Sequence, residues 1–327
     1  MLTLRQIDEI SNLLLEHDIL SILLKDRSTK KNILWGISDY EYLGNGYTSL
    51  DTIDVSKLFV SNTEIIKPRI EKNKDTQELR SKEKAEVFTP LWVCNVQNNL
   101  IDDAWFGISR KRFNTEKQES WETNYYPISF AETNGKSWTD YIRASRLEIS
   151  CGEAPYLTTR YDTITGKYVS VRRRVGLLDR KLRVISENVS SSEEWIEWAL
   201  IAVQNIYGYD WQGDNVFLSR KNILSSVLEE YYEMYNSLLP IEIVLKFAEV
   251  ISWNIWQMDG IKFVVPNSCH AVPEEQIAMF ASEIKMMECP GCKTCNPRTH
   301  TGNYCKIMDW ESKSPIRFID LMKGADS

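Results

Sequence analysis

The sequence predicts an α/β protein built on a parallel sheet, and three observations carry that expectation. Between residues 147 and 259, short apolar runs alternate with stretches of helical apolar spacing, the strand–helix–strand order that parallel sheets require. The runs end on a small-residue turn (Ser150–Gly152) or on an acidic side chain (Asp210, Asp259), where open sheets of this class place their ligands. The composition is that of a folded chain, with 43% hydrophobic, 11% aromatic and 26% charged residues over 327 positions. That supplies one large core or two smaller ones and excludes a disordered or fibrous polymer.

The elements follow in order. Leu4, Ile7, Ile10, Leu14, Ile19 and Leu23 recur at near-helical spacing and predict one or two amphipathic helices ending near residues 26–28. Residues 65–84 are rich in Lys, Arg and Glu with few large apolar side chains, the pattern of an exposed helix or a linker. Pro90 opens a helix running from Leu91 towards Leu100. Residues 102–141 are dense in Trp, Tyr, Asn and Thr without a period and read as loops and short strands.

A strand over Leu147–Ile149 follows. Ser190–Ser192 cap a helix whose first turn carries Glu193 and Glu194 and whose Trp195, Trp198, Ala199, Ala202 and Ile206 share one spacing. A strand then ends at Asp210, Gly213 turns the chain, and helices from Asp214 to about Tyr235 and around 241–251 precede a third strand ending at Asp259. IRFIDLMKG at 316–324 predicts a terminal strand. These elements divide the chain into a helical cap (1–80), a core (81–262) and a Cys-rich segment with that strand (263–327).

No stretch of 18 apolar residues and no basic-apolar-small leader occurs, so a cytoplasmic protein without membrane contact is expected. The formal charge of -7 argues against wholesale nucleic-acid coating but leaves room for a local basic surface. Arg160–Arg183 holds eight basic against two acidic residues. Within it Arg172, Arg173 and Arg174 are the candidates for DNA phosphate contact, the alternative being a solvated or internally paired run.

Four of seven cysteines fall in CPGCKTCNPRTHTGNYC, at Cys289, Cys292, Cys295 and Cys305, with His300 among them. An odd total and tight clustering suit a reducing compartment and a metal rather than disulfides. Tetrahedral Zn2+ takes four such ligands. Cys289, Cys292 and Cys305 are expected to ligate with Cys295 or His300 completing the set; an iron–sulfur centre and free loop thiols are the alternatives.

Four motifs carry a resemblance. LEISCGEAPYL (147–157) resembles the first S-adenosylmethionine (SAM) motif of adenine-N6 DNA methyltransferases of restriction-modification type. EVFTPLWV (86–93) is similar to that family's upstream Thr-Pro motif, IYGYDWQGDNVFLSRKNIL (206–224) to its second motif and NIWQMDGIK (254–262) to its third. They stand in the family's order over roughly half of the chain. The resemblance implies a Rossmann-like class I methyltransferase core. It implies that Thr89 and Pro90 flank the cofactor's methionine, that Glu148, Cys151 and Gly152 line the cofactor turn, and that Asp210 holds the ribose and Asp259 the adenine. Ile149 stands where the family has Pro, and Ala154 where it has its second Gly.

The family's catalytic Asn/Asp-Pro-Pro-Tyr/Phe tetrapeptide is not found; EAPY (153–156) and VPNS (265–268) are the nearest strings. The catalytic residues are therefore unknown. A sheet without its second half exposes an edge, which the 1–80 and 263–327 segments or a second polypeptide must cover. The expected function is a SAM-binding, DNA-directed methyltransferase-like protein of a restriction-modification, defence or phage system that works with a partner chain. The alternative is an inactive relative acting as regulator, decoy or DNA-binding subunit.

Overall fold

The computed structural model describes residues 2–72, 74–84, 89–107, 112–131, 133, 135–278 and 281–322. The chain begins with helices α1 (Leu4–Leu13) and α2 (His17–Leu23), two as the apolar spacing allows, and a small hairpin of β1 (Phe59–Val60) and β2 (Thr63–Glu64). The charge-rich stretch forms helix α3 (Lys74–Lys84), and α4 (Leu91–Phe106) follows directly after Pro90. α4 runs a turn and a half beyond Leu100 because the first residue able to break it is Gly107, which takes a left-handed φ of 74°.

The aperiodic region resolves into the hairpin β3 (Asn114–Lys117) and β4 (Ser120–Thr123) and a short helix α5 (Trp138–Arg143). Then come β5 (Arg146–Ile149), α6 (Leu177–Asn188), α7 (Ser192–Gln204), β6 (Ile206–Asp210), α8 (Gly213–Tyr235), α9 (Ile241–Asn254) and β7 (Ile255–Gln257). The chain continues through the hairpin β8 (Val272–Ala278) and β9 (Ala281–Met287), a single helical turn α10 (Pro290–Thr294), and the hairpin β10 (Lys306–Asp309) and β11 (Ser314–Arg317).

β5, β6 and β7 form a parallel sheet in that order, with Leu147 opposite Tyr207, Ile149 opposite Tyr209 and Tyr209 opposite Trp256. Each crossover between neighbouring strands contains two helices, as parallel neighbours demand. Side chains alternate between the faces. Ile206 and Ile255 join the main core with the helices, whereas Tyr209, Trp256 and Met258 pack on the other face against Val265, Cys305, Ile307 and Phe318. The main core also takes Ile10, Leu14, Ile19, Leu23 and Trp35, so the N-terminal segment shares it. The fold is thus mixed α/β with a short parallel sheet and several two-stranded sheets.

Two departures from the sequence reading have physical causes. Helix α6 lies inside the basic stretch and was not anticipated, because its cations are buried and individually satisfied. Arg180 pairs with Asp102 at 2.6 Å, and Lys181 Nζ donates to the carbonyls of Ile142, Ala144 and Asn205 at 2.8, 2.6 and 3.1 Å. It thereby answers orphan acceptors at the ends of α5 and α7. The terminal run forms β11 only as far as Arg317 and pairs with β10, not with the central sheet. Phe318 then enters a single 3-10 turn and packs 5.0 Å from the Trp256 ring, which ends the extended chain; residues 323 and 324 lie outside the described residues. No helix among the described residues is long and apolar enough to cross a membrane.

Among the described residues β5 has a neighbouring strand on one side only, and its Leu147 and Ile149 are 45% and 65% exposed. The layer that covers Tyr209 and Trp256 on that face does not reach them.

Candidate functional site

The turn after β5 is made by three left-handed residues, Ser150, Gly152 and Ala154, with φ of 50°, 53° and 64°. Such a run folds the backbone tightly, and it directs successive N–H groups to the ends of the strands. Cys151 N donates to Tyr209 O at 2.9 Å. Gly152 N donates to Asp210 Oδ2 at 2.9 Å, and Gln212 N to Asp210 Oδ1 at 2.9 Å. The carboxylate that ends β6 therefore holds the loop that ends β5. The Asn215 side chain donates to the same carboxylate. Burial is the first cause that lifts Asp210 to about 6, against the two backbone N–H groups that lower it.

Glu148, buried in β5 on the helical side, accepts from Tyr156 N at 3.3 Å and Leu157 N at 3.2 Å. Burial pushes its carboxyl up to about 8 despite those donors. Burial likewise drives the Cys151 thiol well above its ordinary range; it sits 3.6 Å from Ser219 Oγ. Thr89, Glu148, Ser150, Cys151, Gly152 and Tyr156 line one cleft of about 100 Å³. Pro90 is the cap residue of α4 beside it; residues 86–88 of the same motif lie outside the described residues.

Neither Asp210, which is buried behind the turn, nor Asp259 lines this cleft. Met258 N donates to Asp210 O at 2.9 Å, which places Asp259 next along the strand ends. Its Oδ1 accepts the N–H groups of Ile261 and Lys262 at 3.0 and 3.1 Å, forming a local turn. A second cleft of about 460 Å³ lies between Trp211 and Gln212 and the segments holding Gly36, Ser38, Ser49 and Asn267. Sequence reading missed this wall entirely. Trp211 Nε1 donates to Gly36 O at 2.9 Å, and Gln257 Nε2 donates to both Leu34 O and Trp211 O at 2.9 and 2.8 Å. The N-terminal segment is thereby laid across the carboxyl ends of β6 and β7.

The metal-ligating chemistry gathers elsewhere, and on a different set of residues than expected. The ligand atoms of Cys269, Cys289, Cys292 and His300 all lie within 4.8 Å of one another. His300 Nδ1 is 3.6, 3.6 and 3.7 Å from the sulfurs of Cys269, Cys289 and Cys292. A tetrahedral ion with metal–sulfur and metal–nitrogen bonds of the usual lengths separates S and N by about 3.6 Å, so the group is metal-competent as it stands. Thr301 N donates to Cys289 Sγ at 3.3 Å. Burial opposes ionisation of Cys289, but the Thr301 donors, the Cys292 N–H and His300 outweigh it and hold the thiol down to about 5.

Cys305 lies outside the group: it is buried and its thiol donates to Gln257 O at 3.3 Å. Cys295 is exposed at the end of α10 with φ 54°. Cys269 enters in their place because the hairpin β8–β9 pairs Val272 with Met287, which brings residue 269 beside residue 289. Cys269 lies 20 residues before Cys289, outside any Cys-x2-Cys spacing, and only the hairpin pairing makes it a ligand.

The arginine run divides. Arg172 and Arg173 are exposed, whereas Arg174 is buried, paired with Glu229 and bonded to Tyr168 Oη at 3.0 Å. Arg174 therefore holds the interior and is not on the surface to meet a phosphate. Comparison with protein-family models, curated proteins and solved structures finds no match for this chain.

Proposed function

We propose that this chain binds SAM and serves adenine-N6 methylation of DNA together with a second polypeptide, in a restriction-modification, defence or phage setting. The observation that carries the reading is the bond from Gly152 N to Asp210 Oδ2. It joins a small-residue turn to the acid ending the adjacent parallel strand, the arrangement in which open α/β sheets hold a nucleoside cofactor's diol. Thr89 faces the same turn, which supports a place for the methionine end there. The Trp211 cleft supports a place for the base, with Asp259 beyond it.

The reaction would break the bond from the sulfonium sulfur to its methyl carbon, with the electron pair going to sulfur. A bond forms from that carbon to the exocyclic nitrogen of adenine, which releases a proton to solvent. That chemistry needs an in-line approach and a held, stacked base more than a strong base. The open edge of β5 and its uncovered Leu147 and Ile149 support a partner chain carrying those groups. Zinc in the Cys269, Cys289, Cys292 and His300 group serves as a structural clasp, since all four tetrahedral places are filled by protein.

The test is titration calorimetry with SAM, followed by incorporation of labelled methyl into adenine-rich DNA by the chain alone and with products of neighbouring genes. SAM binding with turnover only in the presence of a second polypeptide is the expected result. SAM binding without turnover in any combination favours the regulator or decoy. No SAM binding at all overturns the reading.

A further inference from the structure

We infer that the surface formed by Trp121, Tyr125, Tyr126, Arg172 and Arg173 binds single-stranded nucleic acid. This deepens the DNA part of the proposed function and rests on it for the choice of polymer. Tyr125 and Tyr126 are consecutive and 69% and 81% exposed, an uncommon way to leave two large rings when nothing in the fold uses them. They are held in place by backbone and not by their rings. Arg183 Nη2 donates to Tyr126 O at 3.0 Å, Tyr126 N donates to Asn124 Oδ1 at 3.0 Å and Ile128 N donates to Glu187 Oε2 at 2.8 Å.

The same Glu187 lies 3.5 Å from Arg172, and Trp121 Nε1 donates to Arg173 O at 3.0 Å. Two segments distant in sequence are therefore stitched together, Trp121 onto the backbone of Arg173 and Ile128 and Arg172 onto one Glu187. Two of the neighbouring acids are engaged: Glu187 also meets Arg183 at 2.8 Å, and Glu122 meets Lys117 at 3.1 Å. Arg173 has no acidic partner among the described residues. Exposed rings beside fixed cations are what an unpaired strand needs, since bases stack on aromatic faces and phosphates take the charge. A duplex hides its base faces and offers only the phosphates.

The experiment measures fluorescence anisotropy of a labelled oligodeoxyadenylate of about 16 nucleotides, within the span of a compact single-strand site, and of its duplex, over a range of salt. The full chain should bind the single strand more tightly than the duplex. Y125A/Y126A should weaken single-strand binding at least tenfold with the salt slope kept, and Y125F/Y126F should restore it. R172Q/R173Q should instead flatten the slope by about 1.4, two phosphates' worth for a single strand. No binding, a preference for duplex, or an unchanged affinity in Y125A/Y126A overturns the assignment. Calorimetry with SAM on the same proteins separates the two readings. A chain that binds SAM but not the oligonucleotide loses this surface alone, and one that binds the oligonucleotide but not SAM loses the cofactor reading while keeping the surface.

Discussion

Asp210 accepts the Gly152 N–H at 2.9 Å, so a carboxylate at the end of one strand fixes the turn at the end of its neighbour. A ligand diol binding there meets a group already oriented by two backbone donors. Asp210→Ala should weaken SAM binding by about 1.5–3 kcal/mol, the range for a hydrogen bond to a charged acceptor. Because burial lifts Asp210 to about 6, its charged form is lost below that pH. Affinity for SAM should therefore rise as pH is raised through about 6, with calorimetry at pH 5 and 7.5 as the measurement. A flat profile would detach Asp210 from the ligand.

Metal content distinguishes the thiols. The chain purified without chelator should carry about one zinc, and Cys269→Ser should lose it, whereas Cys295→Ser should keep it. Elemental analysis decides between them. Stripping the metal should loosen 289–300 first, because that stretch contributes little apolar burial of its own and metal affinity there is folding free energy. Retention of zinc in Cys269→Ser would refute the four-residue group.

Glu229 and Glu230 are adjacent, both buried, and shifted in opposite directions. Burial would raise Glu229, but the guanidinium groups of Arg160 and Arg174 outweigh it and hold the carboxyl down to about 2. Burial lifts Glu230 to about 7 against the Ser186 hydroxyl that donates to it. The depressed Glu229 contributes stability above its ordinary value of 4.5 that is lost as pH falls towards 2. The raised Glu230 contributes below 4.5 and loses that contribution as pH rises through about 7. Glu230→Gln should flatten the neutral limb of urea stability measured from pH 5 to 8, gaining up to about 3 kcal/mol at the upper end. An unaltered limb would place Glu230's titration elsewhere.

Asp214, at the start of α8, is fully buried among Arg80 at 2.7 Å, Lys72 at 3.0 Å and the Tyr40 hydroxyl at 2.9 Å. Helix α3 reaches the body through Arg80, while its Leu79 stays 49% exposed. Asp214→Asn should cost about 3–5 kcal/mol by removing the buried carboxylate that Arg80 and Lys72 share, with Asp39 at 3.5 Å keeping only part of the pairing of Arg80. Amide hydrogen exchange should accelerate in 74–84 more than in β6. Protection of 74–84 equal to wild type would show that another contact anchors the helix.

Packing, too, sets a narrow condition at Gly213. A Cβ there would lie 1.9 Å from the Leu34 carbonyl oxygen, so Gly213→Ala must push the N-terminal segment off the sheet ends. A loss of about 2–4 kcal/mol is expected, read by thermal unfolding, and a neutral substitution would mean that the segment moves freely.

What the sequence by itself determined is the local and periodic part. The parallel strands at 147–149 and up to Asp210, the helices ending near Tyr235 and around residue 251, and the grouping of Cys289, Cys292 and His300 were legible because spacing of apolar residues and of thiols is a short-range signal. Ile206, by contrast, shares the helical spacing but opens β6, because the pairing of that strand with β5 and β7 decides it. Tertiary structure alone decided which charges are interior and which thiols converge. Arg174 and Arg173 are neighbours in sequence, yet one is sealed against Glu229 and the other is open to solvent, because burial of a cation depends on a carboxylate 55 residues away. Cys269 reaches Cys289 only through the pairing of β8 with β9. The wall over Trp211 comes from residues 34–38 by way of Gln257. Each of these contacts joins segments far apart along the chain, where loop closure must be offset by packing and hydrogen bonds that no local pattern records.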